Sequence, residues 1–154
     1  MAITPNGAFA GKAYVTNSDS DTVSVINTAT NTVSATIPDG DFPDGVAITP
    51  DGTKAYVTNY SDGTVSVINT ATNLVVGSPI LVGIDPEGVA ITPDGVYAYV
   101  TNSSSNNVSV IDTATNTVSA TIPVGKPEEV AICPAAVVPP VTPTDPAVVL
   151  KFTG

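Results

Sequence analysis

The side chains able to do chemistry in this sequence are carboxylates, hydroxyls and one thiol, because the chain has no histidine. Histidine is the commonest general base and the commonest metal ligand, so its absence removes the usual activator of a nucleophile. No lysine lies beside a candidate serine in the repeated part of the chain. The single Cys133 has no second thiol for a disulfide or a metal site, and we interpret it as a small apolar residue. The sequence therefore predicts no catalytic residue.

Carboxylates are the remaining candidates, because we interpret the abundant serines and threonines as turn and strand residues, and the carboxylates are unevenly distributed. Ten of the 14 acidic residues fall in short segments that differ between the copies of an internal repeat. Variable loops are the parts of a domain that usually carry binding. We predict an acidic face that binds a ligand or partner through Asp19, Asp21, Asp41, Asp44, Asp62, Asp85, Glu87, Glu128 and Glu129.

The densest acidic cluster is Asp39-Gly40-Asp41-Phe42-Pro43-Asp44, with three acids within six residues. Calcium accepts flexible sets of carboxylate and carbonyl oxygens, and a divalent cation relieves repulsion among like charges. The spacing does not match that of a known calcium loop. We therefore expect weak calcium binding by Asp39, Asp41 and Asp44, and no other cofactor.

Other polar residues recur in every copy and have structural interpretations. Asp51 and Asp94 each lie within Pro-Asp-Gly, where Asp is a turn former rather than a ligand. One asparagine ends the second strand of each copy, and we interpret it as the cap of the following turn: Asn17, Asn59 and Asn102. The last two, with Asn107, also form Asn-x-Ser/Thr sequons, which matter only in a compartment that glycosylates proteins.

The formal net charge of −10, with four lysines and no arginine, excludes one class of partner. Such a chain cannot neutralise phosphates, which supply most of the affinity for nucleic acid. An anionic membrane surface is disfavoured for the same reason. No apolar run approaches the roughly 18 residues needed to span a bilayer, and no signal peptide is visible after Met1.

The elements that position these residues are copies of one unit. Gly45–Asn73 returns as Gly88–Asn116 with 22 of 29 positions identical. The motif AYVTN begins at residues 13, 55 and 98, which gives periods of 42 and 43. A period near 40 with four β-rich runs is typical of a propeller blade. A solenoid would stack in a similar way, but the repeated hairpin turns favour a meander.

Each copy divides into four short apolar runs separated by turn residues, without helical periodicity. In the second copy the runs are Gly45–Thr49, Lys54–Asn59, Thr64–Asn69 and Leu74–Val82. We predict an all-β fold of three four-stranded antiparallel blades in residues 1–133, with no helix longer than a turn or two. The predicted blades cover about 1–43, 44–86 and 87–127, followed by an extra strand at 128–133. Residues 134–154 are predicted to form a proline-rich linker and a C-terminal strand at Ala147–Phe152.

The loops of a meander alternate between its two ends. The connections between the first and second strands and between the third and fourth strands contain the nearly constant sequences PDG and NTATN. The other connections are the variable acidic segments. The sequence therefore places ten carboxylates at one end of the array.

The chain resembles the YVTN family of β-propeller repeat proteins, relatives of the WD-repeat propellers. The resemblance rests on Tyr14–Asn17, Tyr56–Asn59 and Tyr99–Asn102, each preceding a VSVI-containing run, and it covers Met1 to about Ile132. The resemblance implies a propeller fold and a cell-surface or extracellular location. It implies little about function, because propellers serve many functions.

Three blades are too few for a ring, since propellers typically close with about 4–8 blades. An open wedge would leave two apolar sheet faces exposed. We expect either a homodimer that closes a six-blade ring or a longer propeller of which this chain is a part. In the homodimer, Val130–Ile132 and Ala2–Thr4 of the second copy would compete for one inner-strand position.

Two functions remain open at this point. The first is a non-enzymatic scaffold or interaction module that binds a protein or glycan partner through the acidic face. The alternative is an enzyme of the propeller-lactonase type, with a divalent metal at the channel mouth. Its carboxylates would be Asp44, Glu87 and Glu128, each of which follows a proline.

Overall fold

Each repeat folds into one antiparallel sheet, as the four short apolar runs separated by turn residues predict. The computed structural model describes residues 1–3 and 11–134. Sheet 1 has the order β1-β2-β3-β4, sheet 2 has the order β5-β6-β7-β8 with β9 also beside β7, and sheet 3 has the order β10-β11-β12-β13. The strands are β1 (Ala2–Ile3), β2 (Lys12–Asn17), β3 (Thr22–Asn27), β4 (Thr32–Pro38), β5 (Pro43–Ile48), β6 (Lys54–Asn59), β7 (Thr64–Asn69), β8 (Leu74–Val75), β9 (Ile80–Leu81), β10 (Pro86–Ile91), β11 (Tyr97–Asn102), β12 (Asn107–Asp112) and β13 (Thr117–Pro123).

The prediction of three antiparallel sheets with almost no helix is confirmed for the described residues. The helical structure there is a three-residue 3-10 turn at Ser18–Ser20. No helix in this part of the chain combines the length and apolar character that crossing a membrane requires.

The fourth run of the second repeat departs from prediction. The expected strand Leu74–Val82 is divided into β8 and β9, which both pair with β7. Gly77 between them has a φ of 76°, and Pro79 has no N–H to donate to a ladder. A glycine in the left-handed region and a proline within five residues interrupt the strand.

The extra strand predicted at 128–133 is not formed as a strand. Its first residues nevertheless follow sheet 3, because the Gly88 amide donates to the Glu128 carbonyl at 3.1 Å. A strand needs a neighbour along its whole length, and no second strand of a fourth sheet is present among the described residues. The predicted linker and C-terminal strand lie, from residue 135 onward, outside the described residues.

Apolar residues form two cores, one between each pair of neighbouring sheets. The core between sheets 1 and 2 contains Tyr14, Val23 and Val25 from one side and Ala55, Val57 and Ile68 from the other. The core between sheets 2 and 3 repeats this pattern with Tyr56, Val65, Val67, Ala98, Val100 and Ile111. Each sheet thus buries one face against the next.

The inner strands of neighbouring sheets approach closely, and one glycine permits it. A Cβ at Gly45 would lie 2.3 Å from the Glu87 carbonyl oxygen, so any side chain there would push β5 away from β10. That carbonyl also accepts a bond from the Thr58 hydroxyl at 2.6 Å. The inner strands are therefore packed backbone to backbone.

Candidate functional site

The variable loops meet at one end of the three sheets, as predicted, and hydrogen bonds between their backbones join them. The Tyr60 amide donates to the Phe42 carbonyl at 2.9 Å, and the Ser103 amide donates to the Asp85 carbonyl at 3.0 Å. Within sheet 1, the Asp39 amide donates to the Asp21 carbonyl at 3.0 Å, next to the last pair of β3 and β4. We call this surface, formed by residues 18–21, 39–44, 60–63, 82–87, 103–106 and 124–129, the loop face.

All ten predicted carboxylates lie on the loop face, and most of them are exposed. The exposed acids are Asp19, Asp21, Asp41, Asp44, Asp62, Glu128 and Glu129, and the partly buried ones are Asp39, Asp85 and Glu87. Two of the four lysines are engaged at the opposite end, where Lys12 and Lys54 donate to the Thr70 and Thr113 carbonyls at 2.8 and 3.0 Å. The charge of the molecule is therefore strongly polarised toward the loop face.

Several of these acids also anchor the loops, a role that sequence reasoning missed. Asp21 Oδ1 accepts the Phe42 amide at 3.0 Å, and Asp62 Oδ2 accepts the Asp41 amide at 2.9 Å. The Ser104 hydroxyl donates to Asp85 Oδ2. Each bond joins a loop of one sheet to a loop of the next, which keeps the face in a defined shape.

The calcium set predicted at Asp39, Asp41 and Asp44 is not assembled. The described residues contain no group of three or more His, Cys, Asp or Glu side chains placed to hold a metal ion. Asp39 turns inward, where both of its carboxylate oxygens are buried without a hydrogen-bond partner, whereas Asp41 and Asp44 are exposed. The acids are close in sequence but point to different environments.

Burial raises the pKa of Asp39 above its ordinary value of 3.8. The Ser66 hydroxyl and the Gly40 amide face the carboxylate and partly offset this effect, but neither reaches hydrogen-bond geometry. The equivalent residues in the later repeats are Val82 and Val124. Asp39 is thus an acid at a position that the fold otherwise fills with an apolar side chain.

Of the carboxylates predicted for a channel-mouth site, two influence each other. Burial and then the charge of Glu87 raise the pKa of Asp44. Glu128, which would complete the set, belongs to the segment that has no partner strand. The described residues therefore present a carboxylate pair rather than a three-ligand metal site.

The loop face contains an aromatic pair that the sequence did not reveal. The rings of Phe42 and Tyr60 lie 5.7 Å apart at an angle of 58°. Phe42 is 40% exposed and has a φ of 55°, a left-handed backbone that a bulky residue rarely adopts. The equivalent residue of the next repeat is Asp85, also left-handed with a φ of 54°.

A groove of about 390 Å³ lies beside this pair, between the loops of sheets 2 and 3. Tyr60, Asp62, Ile84 and Asp85 are among the residues that line it. Ile84 is 63% exposed, so the groove has an apolar wall next to two carboxylates. The charge of Asp85 is the main cause of the raised pKa of Tyr60.

The opposite end has the structural roles predicted for it. Asp51 Oδ1 accepts the Thr49 hydroxyl at 2.6 Å, and Asp94 Oδ1 accepts the Thr92 hydroxyl at 2.6 Å. These bonds are the largest cause of the lowered pKa of both aspartates. The two Pro-Asp-Gly segments are turns.

The asparagines of the repeated motif brace the hairpins that carry the loop face. Asn59 Nδ2 donates to the hydroxyls of Thr64 and Ser66 at 3.1 and 2.8 Å. In sheet 3, Asn102 Nδ2 donates to Asn107 Oδ1 and to the Ser109 hydroxyl at 2.8 and 3.0 Å. Both asparagines are 0% exposed. The sequons at these two positions are therefore inaccessible in the folded chain.

Comparison with curated proteins gives a partial match. No protein-family model matches the chain. A 50-residue stretch, 32% of this chain, is 50% identical to the PE-PGRS family protein PE_PGRS18 of Mycobacterium tuberculosis (strain ATCC 25618 / H37Rv). That stretch corresponds to 10% of the length of the curated protein.

Solved structures share the all-β fold. The Kuenenia stuttgartiensis hydrazine synthase aligns with a TM-score of 0.77 and 27% identity, over 83% of this chain and 36% of that one. The dihydro-heme d1 dehydrogenase NirN aligns with a TM-score of 0.66 and 19% identity, over 80% and 26% of the two chains. A functionally unknown protein from Desulfotomaculum acetoxidans DSM 771 aligns with a TM-score of 0.66 and 20% identity, over 80% and 46%. The chain spans less than half of each, and the similarities are consistent with blades of a β-propeller.

Proposed function

We propose that this chain is a non-enzymatic β-propeller interaction module, of the cell-surface or extracellular type, that binds basic segments of a partner protein through the loop face. The observation that carries the proposal is the Phe42–Tyr60 ring pair among carboxylates, in which Phe42 is exposed and has a strained, left-handed backbone. Backbone strain of this kind is concentrated at functional sites.

The chemistry of the groove fits a lysine or arginine side chain. A cation over an aromatic face gains about 0.5–1 kcal/mol at exposed sites. Ile84 offers an apolar wall to the aliphatic stem of such a side chain, and Asp62 and Asp85 offer acceptors to its head group. The surrounding acids would also accelerate the encounter with a positively charged partner.

The ring that presents this face is part of the proposal. Three sheets supply half of a six-blade propeller, and the ring is completed by a second copy of the chain or by further repeats of a longer one. In either arrangement the loops of all blades lie at the same end of the disc. Binding would therefore involve several loop pairs at once.

Binding of a fluorescein-labelled oligolysine peptide, followed by fluorescence anisotropy at low and at physiological salt, tests the proposal. We expect saturable binding that weakens as salt rises, because screening reduces attraction between exposed charges. Tyr60→Ala combined with Asp85→Asn should weaken binding by about tenfold, the equivalent of 1.4 kcal/mol.

Asp94→Asn is the matched control, since it removes the same charge at the opposite end of the molecule. An oligoglutamate peptide is the ligand control. If the double variant and the control bind the oligolysine peptide equally, the assignment to the loop face is wrong.

A further inference from the structure

The two contacts between neighbouring sheets use the same hydrogen bonds at equivalent positions. The Tyr14 hydroxyl donates to Asn73 Oδ1 at 3.2 Å, and the Tyr56 hydroxyl donates to Asn116 Oδ1 at 2.7 Å. In both cases the acceptor is an asparagine with φ near 55°, in the turn between the third and fourth strands of the next sheet. Every sheet thus has a donor face toward the following sheet and an acceptor face toward the preceding one.

No other sheet among the described residues covers the donor face of sheet 3. Tyr99 is its equivalent of Tyr14 and Tyr56, and its hydroxyl makes no hydrogen bond within the described part of the chain. Ile122 is 42% exposed, whereas its equivalents Ile37 and Ile80 are 3% and 6% exposed against the next sheet. This face has the residues of the two buried contacts but lacks the sheet that covers them.

The space around equivalent glycines also shows that sheet 3 lacks the neighbour that sheets 1 and 2 have among the described residues. A Cβ added at Gly40 or Gly83 would lie 2.6 Å from Asn59 or Asn102 of the following sheet. A Cβ at the equivalent Gly125 meets nothing within 4 Å among the described residues. Gly125 is thus conserved between the repeats, but no described asparagine packs against it as Asn59 and Asn102 pack against Gly40 and Gly83.

The acceptor face of sheet 1 supplies the missing partners. Asn31 has a φ of 54°, as Asn73 and Asn116 do, but it is exposed whereas those two are partly buried. Asn17 is also partly exposed, although its equivalents in sheets 2 and 3 are fully buried. The open face at one end of the row therefore complements the open face at the other end.

We infer that the donor face of sheet 3 docks on the acceptor face of sheet 1 in a second copy of this chain, and that two such contacts close a six-blade ring. In this seam the Tyr99 hydroxyl donates to Asn31 Oδ1 of the second copy, and Asn17 of the second copy packs on Gly125. The inference rests on the proposed propeller and assigns completion of its ring to a second copy of the chain. Six is the multiple of three that falls within the usual 4–8 blades.

The segment after sheet 3 is already placed for this contact. The Thr101 hydroxyl donates to the Glu128 carbonyl at 2.8 Å, as Thr16 and Thr58 do to the carbonyls of Asp44 and Glu87 in the next sheet. In sheet 1, β1 pairs with β2 only at Tyr14 and Ala13, whereas β5 pairs with β6 as far as Asn59. Residues 128–130 therefore fit the part of the β2 edge in the second copy that β1 does not pair with.

Sedimentation velocity of the full chain at micromolar concentration tests the inference. We expect a mass twice the 15.4 kDa of one chain. Ile122→Lys and Gly125→Val should each produce a monomer with unchanged secondary structure, because Ile122 is 42% exposed and a Cβ at Gly125 meets no described residue within 4 Å. Leu81→Lys is the matched control, because Leu81 is 77% exposed on the middle sheet, and it should remain a dimer.

A double-mutant cycle then tests the named hydrogen bond. Tyr99→Phe and Asn31→Gly should each weaken the dimer about three- to tenfold, and the double variant should be no weaker than the weaker single variant. Glycine at position 31 keeps the left-handed backbone accessible. Tyr60→Phe serves as the hydroxyl control and should leave the dimer unchanged.

A wild-type mass other than two copies, or a dimer that Ile122→Lys and Gly125→Val leave intact, would overturn the inference. Additive effects of Tyr99→Phe and Asn31→Gly would overturn the named hydrogen bond. A monomer that still binds the oligolysine peptide would refute the seam while leaving the proposed function intact. A dimer that does not bind the peptide would refute the proposed function while leaving the seam intact.

Discussion

At the scale of single residues, the repeat makes each deviation between copies interpretable. Asp39 takes the position of Val82 and Val124, and the structure buries its carboxylate without hydrogen-bond partners. The buried Asn59 Oδ1 in the adjoining sheet also lacks a donor within the described residues, whereas Asn102 Oδ1 accepts the Gly83 amide at 3.0 Å. The contact between sheets 1 and 2 therefore contains buried polar oxygens without hydrogen-bond donors, at Asp39 and Asn59.

Asp39→Val should therefore stabilise the protein at neutral pH by about 1–2 kcal/mol, since an unsatisfied buried polar group is removed. The folded-state pKa of Asp39 lies above 3.8, so the ionised form opposes folding at neutral pH. This penalty disappears as pH falls through the raised pKa toward 3.8, so the advantage of the variant should shrink on acidification. Urea unfolding at neutral and mildly acidic pH measures both effects.

The reciprocal change Val82→Asp is the control and should destabilise the contact between sheets 2 and 3. An Asp39→Val variant with unchanged stability at neutral pH would show that the carboxylate finds solvent or a partner in solution.

At the scale of strands, much of the fold could be predicted from the sequence. The bounds predicted for the second and third runs, Lys54–Asn59 and Thr64–Asn69, are those of β6 and β7. These runs are apolar, contain several β-branched residues and end at turn residues, so local pattern suffices. The pattern of 128–133 is equally strand-like, but a strand requires a neighbour, and periodicity carries no information about whether that neighbour exists.

The loop face was only partly predictable for a related reason. Chain order placed the ten acids at one end because a meander alternates its loops. It did not show that Asp21 and Asp62 fasten neighbouring loops, or that Phe42 meets Tyr60, because those contacts join different repeats. Contacts between sheets depend on how the sheets stack, which no single repeat specifies.

The tyrosine contacts between sheets predict a specific alkaline transition. Burial raises the pKa of Tyr56 to about 12, and its hydroxyl donates to Asn116 at 2.7 Å. The folded state keeps Tyr56 neutral while the unfolded chain ionises near 10, so stability is lost as pH rises above 10. Tyr56→Phe should cost about 1 kcal/mol at neutral pH and should flatten the decline above pH 10.

Chemical unfolding at neutral and alkaline pH, with tyrosinate absorbance as a second signal, measures this effect. Tyr97→Phe is the control, because Tyr97 is 38% exposed and is not enclosed between two sheets. An alkaline decline of the same slope in Tyr56→Phe would assign the transition to other groups.

At the scale of the whole molecule, charge is separated along the axis of the array. Ten acids share the loop face, while Lys12 and Lys54 bind carbonyls at the opposite end. Repulsion among the acids opposes folding. Salt weakens this repulsion, because at 0.1 M ionic strength the interaction between exposed charges more than about 10 Å apart is largely screened.

We expect NaCl and CaCl₂ at equal ionic strength to raise the melting temperature by the same amount, since the described residues hold no assembled calcium site. Differential scanning calorimetry in the two salts measures this, with Asp41→Asn as a variant that lowers the repulsion. A larger rise in calcium than in sodium, lost in Asp41→Asn, would show that the acids gather around the ion in solution.

The outermost strands of sheets 1 and 3 have the same sequence, TVSATIP, in β4 and β13. Each forms the last strand of its sheet, so one row of its backbone N–H and C=O groups faces outward. These strands carry no charge and are rich in β-branched residues, whereas the corresponding edge of sheet 2 is broken by Gly77 and Pro79. Edge-to-edge aggregation of a concentrated stock should therefore begin at the rims of the two end sheets, and the interrupted middle rim should resist it.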